Sequence, residues 1–352
     1  MEATIIKIFI PTAIAFVSGI LITPLVAHYL YKYKVWKKEG GKAALDGTVA
    51  AVFNQLHKEK ETKTPRMGGI VIWGSVLITV ALLFLAKVFF PDSTIGSLAF
   101  FSRSQTWIPL ATLVIGALVG FINDYYDVTQ SGKGIRLRTR ILFVSILSGL
   151  IAWWFYTKLG VDSISIPFDG TLFLGPFIIL FFILMTNAIY ASGVIDGIDG
   201  LSGGIFASIF SAYAGVAFFQ QQYDLAALSA TIAGSTLAFL WFNIPPARFW
   251  MTETGTMALT LALSVIIFMT DTLGDGNGIS LFFIIGLPLI ATVLSNILQV
   301  ASKRFFGKKF FRIAPLHHHF EAIGWPSYKV TMRYWIISLM CAVVGLAIAA
   351  VA

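Results

Sequence analysis

Apolar residues run along this chain in long stretches, without the strict alternation of a half-buried strand or the narrow stripe of a surface helix. A helix that crosses a bilayer needs about 20 mostly apolar residues. Ten stretches meet or approach that requirement: Ile5 to Leu30, Gly68 to Phe90, Trp107 to Ile122, Ile141 to Tyr156, Leu172 to Tyr190, Leu201 to Phe219, Leu225 to Trp241, Gly255 to Met269, Ile279 to Ala301 and Tyr334 to Ala350. The third, fourth and eighth are short and extend into their polar flanks. The pattern predicts an all-α polytopic membrane protein with about ten transmembrane helices, forming a single integral membrane domain over residues 1–352. One exception is Ser163 to Ile166, which alternates polar and apolar ahead of Asp169-Gly170 and predicts a small hairpin. No fixed-period repeat or low-complexity tract appears.

Composition agrees with that reading. Residues are 57% hydrophobic and 12% charged, against about 25% charged in soluble domains. Charge placement then adds an orientation. Of the 25 Lys and Arg residues, all but Lys7, Lys87, Arg103 and Lys158 fall in the loops after odd-numbered spans. The positive-inside rule makes that side cytoplasmic and puts both termini outside. The net charge of +8 is explained by this asymmetry and gives no reason to expect nucleic acid. The first run lacks a basic leader and a small-residue cleavage site, so it is expected to be a retained span. Cys341, the sole cysteine, excludes an intrachain disulfide and a cysteine metal site.

The polar residues that interrupt the apolar pattern gather on the same side. Asn123, Asp124 and Asp127 follow the third span, Asn187, Asp196 and Asp199 the fifth, Asn243, Trp250 and Glu253 the seventh, and His317, His318 and His319 the ninth. Ionisable groups at a membrane boundary are costly unless they face a partner or a cavity. Four loops converging on one face therefore predict a cytoplasmic active site. Two longer loops frame it: a mobile one at about 32–66 and a histidine loop at about 302–333.

Each element also has a plainer reading. In the run Gly193 to Gly200, Asp196 and Asp199 are three apart and could hold Mg²⁺ through waters or bond a nucleoside, or the run could be a Gly/Asp turn. Glu253 could be a hard oxygen ligand for Mg²⁺ or an acid that complements a helix dipole. Arg136, Arg138 and Arg140 suit phosphates or lipid heads, and they also fit an orientation role. Together, carboxylates, cations and histidines without a thiol among them suit phosphoryl transfer, in which positioning and charge neutralisation dominate. The membrane location points to a lipid as one substrate.

The motifs NDYYD at Asn123 to Asp127, TNA at Thr186 to Ala188, DGIDGL at Asp196 to Leu201, WFN at Trp241 to Asn243 and APLHHHFEAIGWPSYKV at Ala314 to Val330 carry a resemblance. The chain resembles the polyprenyl-phosphate N-acetylhexosamine-1-phosphate transferases from TPRMGG at Thr64 to Gly69 through Trp335. The triple-histidine loop is the specific part and points to the branch that uses UDP-N-acetylmuramoyl-pentapeptide; DGIDGL is shared across the superfamily. The resemblance implies a ten-span, Mg²⁺-dependent, often dimeric enzyme of the bacterial inner membrane. It would move phospho-N-acetylmuramoyl-pentapeptide from UDP to undecaprenyl phosphate, giving lipid I and UMP for peptidoglycan synthesis. By position, Asp124 matches a carboxylate near lipid phosphate and metal, and Asp196 and Asp199 match the later aspartates. Glu253 falls at the Mg²⁺ ligand, His317 and His318 lie near the phosphates with His319 beside them, and Asn187 and Asn243 match active-site asparagines. Arg138, Arg140 and Trp250 are further candidate substrate contacts, and Lys63 or Lys60 stands in for a lysine before the TP motif.

The chain departs from the family pattern at several points. Asn123 replaces the first carboxylate of the aspartate pair, Glu253 is longer than the usual aspartate, Arg140 replaces a lysine and Arg66 a threonine. The alternatives are a related UDP-N-acetylglucosamine transferase, a transporter, or a binding protein without activity. Transporter sites lie near the bilayer midplane in repeated halves, a pattern absent here.

Overall fold

A computed structural model of the chain describes residues 2–38, 40–41, 54, 59–130, 134–274 and 276–351. Much of the expected mobile loop, residues 42–53 and 55–58, lies outside the described residues, as does Lys133. The helices are α1 (Glu2–Lys32), α2 (Ile70–Phe89), α3 (Trp107–Thr129), α4 (Leu137–Leu159), α5 (Phe177–Ala191), α6 (Leu201–Phe219), α7 (Tyr223–Asn243), α8 (Thr252–Met269), α9 (Gly278–Ile285), α10 (Leu287–Phe306), α11 (Leu316–Ala322) and α12 (Ser327–Ala349). A hairpin of β1 (Ser163–Ile166) and β2 (Gly170–Phe173) pairs Ser163 with Phe173 in antiparallel register, as the alternation predicted.

Among the described residues nine helices are long and apolar enough to span a bilayer, and the bent pair α9–α10 supplies a tenth. The pair corresponds to one predicted span, Ile279 to Ala301, broken by a 72° bend. Gly286 ends α9, and Pro288 lies in the first turn of α10, where its missing N–H removes no intrahelical bond. The third, fourth and eighth spans extend into their polar flanks, so Asn123, Asp124 and Asp127 sit within α3 and Glu253 in the first turn of α8.

The helices sort by how much of each is covered. In α8, 94% of the apolar window is buried, and in α6 and α7, 83%, whereas α1, α4 and α12 bury 22% and turn large apolar side chains outward. Hydrocarbon tails are the remaining apolar environment for those outer faces. The chain is therefore a multi-pass membrane protein built around α8. Its closest partner is α3. Gly116 and Gly120, four apart on α3, face α8 so closely that a Cβ at either would overlap the backbone oxygens of Met257 and Glu253. Small residues at that spacing let two membrane helices approach, which brings the polar end of α3 beside the first turn of α8.

Candidate active site

That approach sets the centre of the site. Asp124 is fully buried, and its Oδ2 accepts hydrogen bonds from the Thr254 N–H at 2.8 Å, the Thr254 hydroxyl at 2.6 Å and the Thr252 hydroxyl at 2.5 Å. A carboxylate from one helix thus satisfies donors that the first turn of another cannot pair internally. Thr252 has φ +54°, a costly conformation for a β-branched residue. It is held there by its N–H, which donates to Asp196 Oδ2 at 2.8 Å, and by its hydroxyl, which also accepts from the Met67 N–H at 3.0 Å.

Met67 belongs to the TPRMGG segment, which pairs with the chain entering α8. Trp250 N–H donates to Pro65 O at 2.8 Å, Gly68 N–H to Trp250 O at 2.8 Å and Gly69 N–H to Met251 O at 3.2 Å. A Cβ on Gly69 would overlap the Gly255 backbone, so the glycine permits the clasp. It also aims Arg66 into the acidic cluster. Arg66 Nη2 lies 2.9 Å from Asp127 Oδ2 and 3.8 Å from Asp124 Oδ1. On the other side Arg140, in the first turn of α4, pairs with Glu253.

Asp196 extends the cluster into the DGIDGL turn. Its Oδ1 accepts from the Ser202 hydroxyl at 2.7 Å. Burial pushes its carboxyl above the ordinary aspartate value, against the hydrogen bonds from Ser202 and Thr252 and the charge of Arg66. Asp199 accepts from Trp250 Nε1 at 3.0 Å, from the Ala247 N–H at 3.3 Å and from Lys60 Nζ at 3.4 Å. Gly200, at φ +78°, opens α6 and donates its N–H to Asn243 Oδ1 at 3.0 Å. Asn243 donates in turn to Phe249 O, so this asparagine braces two loops.

The histidine loop closes over the same turn. His317 and His318 are buried with rings 4.3 Å apart, and a Cβ on Gly197 would overlap Nε2 of both. His318 Nδ1 meets Glu321 Oε2 at 2.7 Å, and Glu321 Oε1 accepts from Ser327 at 2.5 Å, a chain that sets the ring orientation. Ser295 and Gln299 on α10 bond the backbone of Leu316, Phe310 and Phe311, so the bent helix carries the loop.

Four expected residues lie elsewhere. Asn187 faces α4, where it bonds Ser145 Oγ at 3.0 Å and its own Ile183 O. Lys63 pairs with Glu59, both exposed, and Lys60 instead reaches Asp199. Arg138 is exposed, since two residues along a helix turn a side chain to nearly the opposite face from Arg140. His319 accepts from the Arg312 N–H at 3.1 Å and packs on Phe311. Asn123 donates to Asp124 at 3.4 Å and accepts from the Ile135 N–H at 3.0 Å, so it ties α3 to the segment before α4. Sequence reasoning gave no role to Thr252, Thr254 and Ser202; their one signal is a cluster of hydroxyls beside acids at span ends.

The donor set can be tested against Mg²⁺. Among the described residues Asp124, Asp127, Asp196 and Glu253 are met by Arg66 and Arg140, which leaves two of these negative charges unbalanced when all are ionised. Among the described residues no group of three or more His, Cys, Asp or Glu gathers to cage an ion. Mg²⁺ typically takes one or two carboxylates and fills its remaining positions with water and substrate phosphates. Asp124 and Glu253, whose charges interact, offer two carboxylates in a net-negative cluster, and that fits this habit.

Buried carboxylates, guanidinium groups and histidines thus gather where span ends meet, a candidate transferase site, and residues 106–271 match the family model described as glycosyl transferase family 4. The chain is 32% identical over 347 residues, 97% of each chain, to the phospho-N-acetylmuramoyl-pentapeptide-transferase of Anoxybacillus flavithermus. It is 30% identical over 95% of each chain to that of Geobacillus sp. strain WCH70, and 33% identical over 83% of its length and 81% of the relative's to that of Francisella tularensis subsp. novicida. It belongs to the phospho-N-acetylmuramoyl-pentapeptide-transferase family and is a transferase enzyme.

Proposed function

We propose that the enzyme transfers phospho-N-acetylmuramoyl-pentapeptide from its UDP carrier to undecaprenyl phosphate at the cytoplasmic face of the bacterial inner membrane, giving lipid I and UMP for peptidoglycan synthesis. The observation that carries this reading is the match to relatives of that name across 97% of both chains. The site adds chemical support. In the reaction an oxygen of the lipid phosphate bonds to the phosphorus attached to the sugar, and the bond from that phosphorus to the bridging oxygen breaks, so UMP leaves with the electron pair. The nucleophile is already an anion near neutral pH, because the second ionisation of a phosphate monoester lies at about pH 6. A side-chain base is therefore unnecessary, in keeping with Asn123 and its two hydrogen bonds.

Arg140, Lys60 and the histidine pair would bind and orient the phosphates, and Trp250 with Asp199 would hold the nucleoside end. Electrostatic stabilisation of charge that develops on phosphate oxygens is the main service such a site offers. Mg²⁺ belongs to the proposal, with Asp124 and Glu253 as its protein ligands; when bound it would neutralise phosphate charge as a Lewis acid. Glu253 would then exchange its contact with Arg140 for the ion.

UMP release by purified protein with undecaprenyl phosphate tests the reading. Turnover is expected with UDP-N-acetylmuramoyl-pentapeptide, loss with EDTA and recovery with Mg²⁺. Turnover with UDP-N-acetylglucosamine alone would move the enzyme to the related transferases.

A further inference from the structure

Arg66 has more capacity than the acids around it use. Its side chain is only 14% exposed. One end of the guanidinium, Nη2, is engaged by Asp127 and faces Asp124, while its Nε–H is buried and has no hydrogen-bond partner among the described residues. A buried donor left unpaired costs about 1–3 kcal/mol, and native proteins rarely leave one without an acceptor. The side chain has little freedom to find one, because the backbone on both sides is fixed. The Arg66 N–H donates to Val35 O at 2.7 Å, and the residues flanking Arg66 carry the clasp to Trp250 and Thr252.

The location specifies which acceptor is missing. The Arg66 side chain faces Asp124 and its charge acts on Asp196, while Pro65 just before it accepts the Trp250 N–H, and the Trp250 indole donates to Asp199, which Lys60 also reaches. The segment that carries Arg66 thus joins the acidic cluster to the Trp250–Asp199 pair, where a ligand with a nucleoside end and a phosphoryl-transfer end would bring its phosphates. Guanidinium groups bind phosphate oxygens through several fixed N–H vectors, which a lysine cannot reproduce. Asp127 holds the engaged end, and the Nε–H is the donor left unmet among the described residues.

We infer that Arg66 is a phosphate-binding residue of the donor site, donating its Nε–H to an oxygen of the nucleoside diphosphate, with Asp127 as the anchor that aims it. This rests on the reading of the donor as a uridine diphosphate sugar. It adds a cation that the family pattern, with threonine at this position, does not supply.

The test compares UDP with uridine, which differ by the phosphates alone, in titrations of full-length protein in detergent with EDTA, followed by saturation-transfer NMR. Arg66→Gln is expected to weaken UDP at least about tenfold, the loss of one charge-assisted hydrogen bond, and to leave uridine unchanged. Arg66→Lys, which keeps the charge and loses the fork, is expected to fall between the two. Equal UDP binding by wild type and Arg66→Gln would overturn the inference while leaving the enzyme's function standing. Parallel loss of UDP and uridine in both variants would also overturn it, by assigning Arg66 a purely structural role. Failure of the wild type to bind UDP at all would instead overturn the nucleotide-donor reading, and the inference with it.

Discussion

Asp124 on α3 and Thr254 on α8 meet through two hydrogen bonds to one carboxylate oxygen, 2.8 Å from the amide and 2.6 Å from the hydroxyl. The contact joins the most buried helix of the bundle to the acid at the centre of the site. Because both residues are fully buried, water cannot replace either bond.

Thr254→Val retains the shape and the amide bond but removes the hydroxyl. A hydrogen bond to a charged group contributes about 1.5–3 kcal/mol, so a loss of that order is expected, together with a fall in turnover as Asp124 gains freedom. Thermal unfolding in detergent and UMP release check the two effects. An unchanged midpoint would mean that the hydroxyl does not support the carboxylate.

Gly197 tests whether the histidine loop acts on the DGIDGL turn. A methyl group at this position would displace the Nε2 edges of His317 and His318, while the helices stay as they are. Gly197→Ala is expected to lower kcat by at least about tenfold, since small displacements of positioned groups are costly to catalysis, with little change in melting temperature. Full activity would separate the loop from the chemistry.

Asp271 offers a pH test far from the acidic cluster. It lies just beyond α8, where it accepts the Ser165 N–H at 2.9 Å and the Ile279 N–H at 3.0 Å and so ties the hairpin to α9. Burial pushes its pKa up to about 6, against those hydrogen bonds. The folded state therefore holds this proton more tightly than the unfolded chain does. Its contribution to stability is complete below the unfolded value of about 4 and is lost as pH rises through about 6, a difference of roughly 2–3 kcal/mol. Lowering the pH from 7.5 to 5 should raise the melting temperature of wild type relative to Asp271→Asn. Parallel pH curves for the two proteins would refute this.

The bilayer made much of the fold legible. Its thickness sets span length, so even short runs such as Gly255 to Met269 marked real helices. The bend at Gly286 was not legible, because Leu287 and Pro288 lie inside an unbroken apolar run whose hydropathy does not register direction. Polar residues at span ends marked the region of the site, yet spacing alone did not fix which way each side chain points. Asn187 turns toward α4 and Arg138 toward solvent, and of the two candidate lysines before the TP motif it is Lys60 that reaches Asp199, while Lys63 pairs with Glu59. Thr252 and Thr254 carry little signal in the sequence, since hydroxyls in a helix usually bond their own backbone; here an acid 128 residues away in sequence from Thr252 claims them. Arg66 read as a departure from a pattern, and only the clasp of its segment on Trp250 gave it a place.

The most direct measurement is UMP release with UDP-N-acetylmuramoyl-pentapeptide, undecaprenyl phosphate and Mg²⁺, comparing wild type with Asp124→Asn and Glu253→Gln, each checked for folding by its melting curve. If the cluster joining α3 to α8 performs phosphoryl transfer, wild type turns over and each folded variant loses at least about 100-fold. Folded variants that release UMP at the wild-type rate would place the chemistry elsewhere and contradict the account.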